Sequence, residues 1–225
     1  MTGSALEPAA LLFDMDGVLL DSRPVVERTW RRWADRHGLS VEPFLSIAHG
    51  RRTSDTLRAT VPELATAQEV AWLDAAEFDD FEGIMPILGA AALVASLPPS
   101  RWTVVTSAGR ELAARRLAVV GLILPAHAVT SEDVERGKPA PDGYLLAAAR
   151  LGVRATDCLV IEDAPPGVQA GRAAGARVLA VTTTHPREAL TEAQHIVADL
   201  RSVRVTARGS TLSVHLSSAF TPSTE

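Results

Sequence analysis

AALLFDMDG, residues 9–17, joins an unbroken apolar run to two carboxylates one residue apart and then a glycine. A short run that is apolar at every position reads as a strand buried on both faces, the habit of a parallel sheet covered by helices. The strand then ends on Asp14 and Asp16, where burial penalises each charge and the two repel. Something at that edge has to compensate.

Working outward, the same strand type recurs. The segments 101–108, 158–163 and 177–183 are apolar runs, and a short strand and turn are predicted at 127–133. Helical patterns separate them at 91–97, 110–121, 141–152 and 166–175, with Gly152 just past the end of the third. Strands alternating with helices of this length indicate a parallel α/β sheet. Residues 20–84 break the rhythm. Ser22 and Pro24 signal a helix start. Val26, Trp30 and Trp33 then fall on one stripe of a helix over 23–37, and further helices are predicted at 53–60 and 66–81. No strand run is evident there, so the segment reads as a helical insertion in which Trp30 and Trp33 are core residues. Two alternating runs at 203–216, around Arg208-Gly209-Ser210, predict a β-hairpin. Residues 217–225, rich in Ser, Thr and Pro, are expected to be a disordered tail. The chain shows no internal repeat.

With 225 residues and 47% hydrophobic content, the chain can bury a substantial core. The formal net charge of -5 lacks the basic footprint of a nucleic-acid binder. No apolar run approaches the roughly 20 residues that span a bilayer, and the N-terminus lacks a basic-then-apolar leader. The single cysteine, Cys158, sits in an apolar strand and reads as a small buried hydrophobe. A cytoplasmic protein, monomeric or weakly dimeric, is expected.

In an open parallel sheet, ligands bind beyond the carboxyl ends of the strands. Those ends carry Asp14 and Asp16, then Thr106-Ser107-Ala108, then Glu162-Asp163; Lys138 lies in the loop RGKPAPDGY. Taken singly, each has an ordinary reading as a turn, a helix cap or a solvated loop charge. Four segments delivering acids, a hydroxyl and a lysine to one edge favour a site. A hard divalent cation removes the repulsion, and Mg2+ suits a site with one or two carboxylates, waters and a substrate phosphate. Asp14 and Asp163 are candidate ligands, with the main-chain carbonyl of Asp16 as a third. Lys138 and the Ser107 hydroxyl can then hold phosphoryl oxygens, which is the equipment of phosphoryl transfer.

DMDGVLLDS, VVTSAGR, GKPAPDGY and VIEDAPPGVQAG, in that order, resemble the four motifs of the haloacid dehalogenase superfamily over roughly residues 9–200. The resemblance implies an α/β, Rossmann-like three-layer core with a mainly parallel sheet. The core would comprise residues 1–19 and 86–216, with a small α-helical cap, 20–85, inserted after the first strand. It implies that Asp14 is a nucleophile forming an aspartyl-phosphate, and that Asp16 is the acid toward the leaving alcohol and then the base for water. Ser107, Ala108 and Lys138 would bind the phosphoryl group. Asp14, Asp16, Glu162 and Asp163 would surround Mg2+. Positions 14 and 16 point the same way in extended chain, so one carboxylate can attack while the other meets the leaving oxygen.

The cap segment HGRRTSDTLRATVPEL, with TSAGR and IEDAPPGVQAGRAAG, is similar to the glycerol-3-phosphatase and 2-deoxyglucose-6-phosphatase group. That similarity implies small sugar or polyol phosphates as substrates. Arg51, Arg52 and Arg110 are candidate specificity residues, each with an alternative reading as solvated charge, and His49 reads as structural. A dehalogenase needs neither Asp16 nor the Glu162-Asp163 pair. A phosphate-sensing protein on the same fold usually loses a motif carboxylate, and none is missing. The standing alternative is a β-phosphoglucomutase-type isomerase, whose gating His is matched here by Val26. Hinges for cap motion are expected near 18–23 and 82–88, with Gly83 and Gly89 as permissive residues.

Overall fold

The structure, a computed structural model, describes residues 6–209 and 211–217. Its centre is a five-stranded, wholly parallel sheet. In chain order the strands are β1 (Ala10–Phe13), β4 (Trp102–Val104), β5 (Cys158–Glu162), β6 (Arg177–Val181) and β7 (His195–Val197), and they lie side by side as β4-β1-β5-β6-β7. Strand side chains alternate between two apolar cores, as a period of two requires. Leu11, Phe13, Leu159 and Ile161 face one core with helices α5 (Ala90–Ala95) and α6 (Arg110–Val119). Ala10, Leu12, Cys158 and Val160 face the other with α7 (Asp142–Arg150) and α8 (Pro165–Ala173). This is the expected α/β three-layer class, and Cys158 is buried as a small hydrophobe.

Helices α1 (Arg23–His37), α2 (Glu42–Ala48), α3 (Thr53–Thr60) and α4 (Ala67–Phe78) close on a third core of their own. Its centre is aromatic: Trp30 stacks on Phe44 at 5.3 Å, and Trp33 meets both edge-on. Burying each ring contributes about 1.5–3 kcal/mol. Pro24 lies in the first turn of α1. The Ser22 hydroxyl does not cap that helix; it donates to Asp16.

Several expectations are revised. The strand expected at 101–108 is confined to β4. Beyond it, Val105 makes a single bridge to Val129, and 127–133 is a bridge and a 3-10 turn rather than a strand. Helix α2 and strand β7 lie in short segments whose periodicity is too brief to read. The stretch read as strand-free is bracketed by a two-residue antiparallel ribbon, β2 (Leu20–Asp21) with β3 (Met85–Pro86). It ties together the two chains that enter and leave the helical segment. The hairpin β8 (Val203–Arg208) and β9 (Thr211–Leu216) forms as expected. Of the expected tail at 217–225, only Ser217 lies within the described residues. No described helix is long and apolar enough to cross a membrane.

Candidate active site

Because β4, β1 and β5 are neighbours, their carboxyl ends converge. The backbone ladder runs to that edge: Asp14 N–H donates to the Ile161 carbonyl at 2.9 Å, and Val105 N–H to the Phe13 carbonyl at 2.8 Å. Just past the ladder, carboxylate oxygens of Asp14, Glu162 and Asp163 lie within 4.8 Å of one another, all three residues buried. Lys138 reaches them from the loop before α7. Its ammonium donates to Asp14, to Glu162 Oε1 at 2.6 Å and to the Val105 carbonyl at 3.3 Å.

Glu162 is fully enclosed. Its Oε1 also accepts from the Tyr144 hydroxyl at 2.7 Å, and its Oε2 accepts from the Asp163 and Ala164 amides at 3.0 and 3.4 Å. Four donors thus occupy it, and its carboxylate is the anchor of Lys138. Asp163 differs: Oδ2 accepts from the Thr184 hydroxyl, while buried Oδ1 has no partner among the described residues.

Three clustered carboxylates have one ammonium among them, paired with two, so a proton or another cation is favoured there. Burial is the largest cause raising Asp14, to about 8; Lys138 opposes it, and the Glu162 and Asp16 charges add to it. Asp163 is pushed well above the ordinary range by burial and then by Glu162 and Asp14. For Lys138, burial opposes the charge, but Asp14 and Glu162 outweigh it and hold the ammonium protonated. The orphaned Asp163 oxygen, the clustered acids and the all-oxygen donor set fit a hard divalent cation.

Asp14 and Asp16 open onto a cavity of about 530 Å3 between the sheet edge and helices α1–α4, with Ser107 and Ala108 also in its wall. Asp16 is not one of that three-acid cluster. Its Oδ1 accepts from Ser22 at 2.6 Å and from Arg116 at 3.0 Å. The Ser107 hydroxyl donates to the Gly50 carbonyl at 3.0 Å. Arg51 lines the cavity, and its buried Nε has no partner. Arg52 also lines it, but its guanidinium straps α3 to the Val134 and Glu135 carbonyls at 2.9 and 3.0 Å. Arg110 is turned elsewhere. It donates to Asp133 and the Ala128 carbonyl at 2.8 and 3.1 Å and is not among the cavity-lining residues described, which removes the ground for a substrate contact. His49 lines the cavity, 6.3 Å ring to ring from His185.

Two glycines shape this edge. Gly17 has φ +81°, and a Cβ there would stand 2.0 Å from Asp163 Oδ2; Gly167 would place one 1.8 Å from Glu162 Oε1. Gly167→Ala therefore has to expel Glu162 from its seat, and Lys138 with it. We expect a loss of about 2 kcal/mol, or on the order of 5 °C in melting temperature, measured by thermal unfolding. An unchanged melt would show that Glu162 is not held against α8.

Tyr144, Thr184, Glu77, Arg116 and Gly167 are not among the residues to which the sequence points. Tyr144 and Gly167 stand inside the quoted motifs, six residues after Lys138 and five after Glu162, where buried helix positions beside an acid were the available signal.

The chain is 42% identical to hexitol phosphatase A of Escherichia coli, over 87% of this chain and 93% of that one. It is 32% identical to glycerol-1-phosphate phosphohydrolase 2 of Saccharomyces cerevisiae, over 89% and 86% respectively. Among solved structures, a putative beta-phosphoglucomutase from Bacteroides vulgatus superposes with a TM-score of 0.74 at 32% identity, covering 87% of this chain and 86% of that chain. Residues 8–175 match the model of the haloacid dehalogenase-like hydrolases. With that match, the parallel sheet and the acid-lysine cluster at its edge, the chain belongs to the haloacid dehalogenase-like hydrolase family.

Proposed function

We propose that this chain is a Mg2+-dependent phosphomonoesterase that hydrolyses small sugar or polyol phosphates through an aspartyl-phosphate on Asp14. The observation that carries the reading is the position of Asp14. It lines the cavity, pairs with Lys138 and belongs to the buried acid cluster in which one Asp163 oxygen has no described partner. The printed names of the relatives, a hexitol phosphatase and a glycerol-1-phosphate phosphohydrolase, supply the substrate class.

In the first step a carboxylate oxygen of Asp14 attacks phosphorus, and the bond from phosphorus to the alcohol oxygen breaks. Asp16 gives its proton to that oxygen, and the alcohol leaves. In the second step Asp16, now a carboxylate, takes a proton from water. The water oxygen bonds to phosphorus, and the bond to Asp14 breaks, releasing phosphate. Lys138 holds the phosphoryl oxygens as its share of Asp14's charge is transferred to them. The Ser107 hydroxyl turns from the Gly50 carbonyl, and the Ala108 amide from the Thr106 hydroxyl at 3.1 Å, to donate to the same group. Asp14 and Asp163, with the main chain at Asp16, would hold the Mg2+, with Glu162 fixing Lys138 beside it; the ion neutralises phosphoryl charge when bound.

Residues 20–85 act as a cap on a core made of 1–19 and 86–216, seated through the Arg52 strap and the Ser107–Gly50 bond. Closure leaves a cavity sized for a small metabolite. Arg51 is the cap cation free to meet its hydroxyls. The reading is of a cytoplasmic enzyme, monomeric or weakly dimeric, with no nucleic-acid or membrane partner.

The test is phosphate release over a panel of sugar and polyol phosphates, with and without Mg2+. Turnover of several small monoesters only with Mg2+ is expected. The structural likeness to a putative beta-phosphoglucomutase keeps one rival: conversion of a sugar phosphate that depends on a doubly phosphorylated sugar, with little free phosphate, would favour isomerisation.

A further inference from the structure

Asp16 is tied by a residue outside every motif. Arg116 comes from α6 on the core, and its guanidinium is almost wholly enclosed, with 3% of the side chain exposed. It donates from one terminal nitrogen to Asp16 Oδ1 at 3.0 Å and from the other to Glu77 Oε2 at 2.7 Å. Glu77 stands on α4, in the helical segment. Burying a guanidinium is costly unless carboxylates meet it with good geometry; here two carboxylates from two different cores meet its terminal nitrogens, while its buried Nε has no partner among the described residues. Burial raises the Glu77 carboxyl; Arg116 opposes this and the Asp16 charge adds to it.

We propose that Arg116 is a positioning residue that fixes Asp16 for proton transfer, and that its bond to Glu77 completes this arrangement only when the helical segment is seated on the core. Both hydrogen bonds described on Asp16 fall on Oδ1, from Ser22 and Arg116. That leaves Oδ2 with no described side-chain partner on a residue that lines the cavity. With the segment lifted, Glu77 departs, the guanidinium hydrates and its hold on Asp16 weakens. Proton transfer is thereby confined to the closed state, in which bulk water is excluded.

This inference rests on the reading of Asp16 as acid and base, and leaving-group chemistry separates the two. An alkyl alcohol needs a proton as it leaves; p-nitrophenol leaves as a stable anion. The value of kcat/KM, which reports the steps up to the first irreversible transfer, is measured for a polyol phosphate and for p-nitrophenyl phosphate in wild type, Arg116→Ala and Glu77→Gln. Arg116→Ala should lose about 100-fold on the alkyl ester, within the range of general acid catalysis, and less than about tenfold on the aryl ester. Glu77→Gln, which keeps a side chain of the same size should Arg116→Ala fail to fold, should lose about tenfold on the alkyl ester and little on the aryl. Equal losses on both esters, or no loss on either, would overturn the inference and leave the phosphatase reading standing. Wild-type protein that releases phosphate from neither ester would overturn that reading and this inference with it.

Discussion

Asp14→Asn is expected to cut phosphate release by about 10⁴-fold or more, the scale on which loss of a covalent nucleophile registers, while the protein stays folded. The amide keeps the shape of the carboxyl but cannot form the acyl-phosphate. Lys138 retains Glu162 and the Val105 carbonyl, so its seat survives. The sign of the stability effect follows from the electrostatics. Asp14 is raised from its ordinary value of 3.8 to about 8, so the folded chain binds its proton more tightly than the unfolded chain does. A group raised in this way contributes stability that is present below the unfolded value and is lost as pH rises through the folded one. At neutral pH most of that contribution is already gone. An uncharged Asn should therefore melt no lower than wild type without metal. Phosphate release and thermal melts on the same preparation check both halves. Retention of more than about a tenth of wild-type activity would remove Asp14 from the nucleophile's place, since such a loss is far below that of a covalent residue.

The order of the strands explains why so much of this edge was legible in the sequence. Apolar runs at 9–14 and 158–163 read as doubly buried strands, and β1 and β5 are adjacent in the sheet. Two strand ends then determine the meeting of Asp14 with Glu162 and Asp163. The period-two alternation of Leu11 and Phe13 against Ala10 and Leu12 likewise predicts two cores, one on each face. What could not be read depends on contacts between elements far apart in the chain. Arg116 is one of three arginines on α6, and nothing local distinguishes it from Arg115, which lies over the Phe78 ring, or from Arg110 on Asp133. Its role appears only when α4 delivers Glu77 beside it. Arg52 is the converse case: a cation beside the cavity whose guanidinium the Val134 and Glu135 carbonyls take up, so that it holds two bodies together. Glu162 and Asp163 are alike in sequence and opposite in use, because backbone amides and Tyr144 saturate one and leave the other an open oxygen.

Removing divalent metal is expected to end turnover, and restoring Mg2+ should raise the melting temperature by an amount that grows with pH. Without metal, three buried carboxylates cluster together and two of them pair with one ammonium. Asp14 is raised to about 8 and Asp163 in the same direction, so the folded chain binds protons there more tightly than the unfolded chain does. Across the window from the ordinary value of 3.8 up to about 8, the folded state binds more protons, so stability falls as pH rises. Mg2+ must displace those protons to bind. Its apparent affinity is therefore poor near pH 5 and improves as the acids ionise, while the repulsion it relieves increases over the same interval. At free Mg2+ about 100 times its dissociation constant, binding to the folded state alone stabilises by about 2.7 kcal/mol. Melts in chelator and in Mg2+ at pH 5, 6.5 and 8 would give curves that converge in acid and separate in base. Asp163→Asn removes the unpartnered oxygen's charge and should collapse that separation while raising the chelator curve at pH 8. A Mg2+ shift that is the same at all three pH values, or that survives Asp163→Asn intact, would place the ion away from this cluster, and the chemistry built on Asp14 would need another source for the missing positive charge.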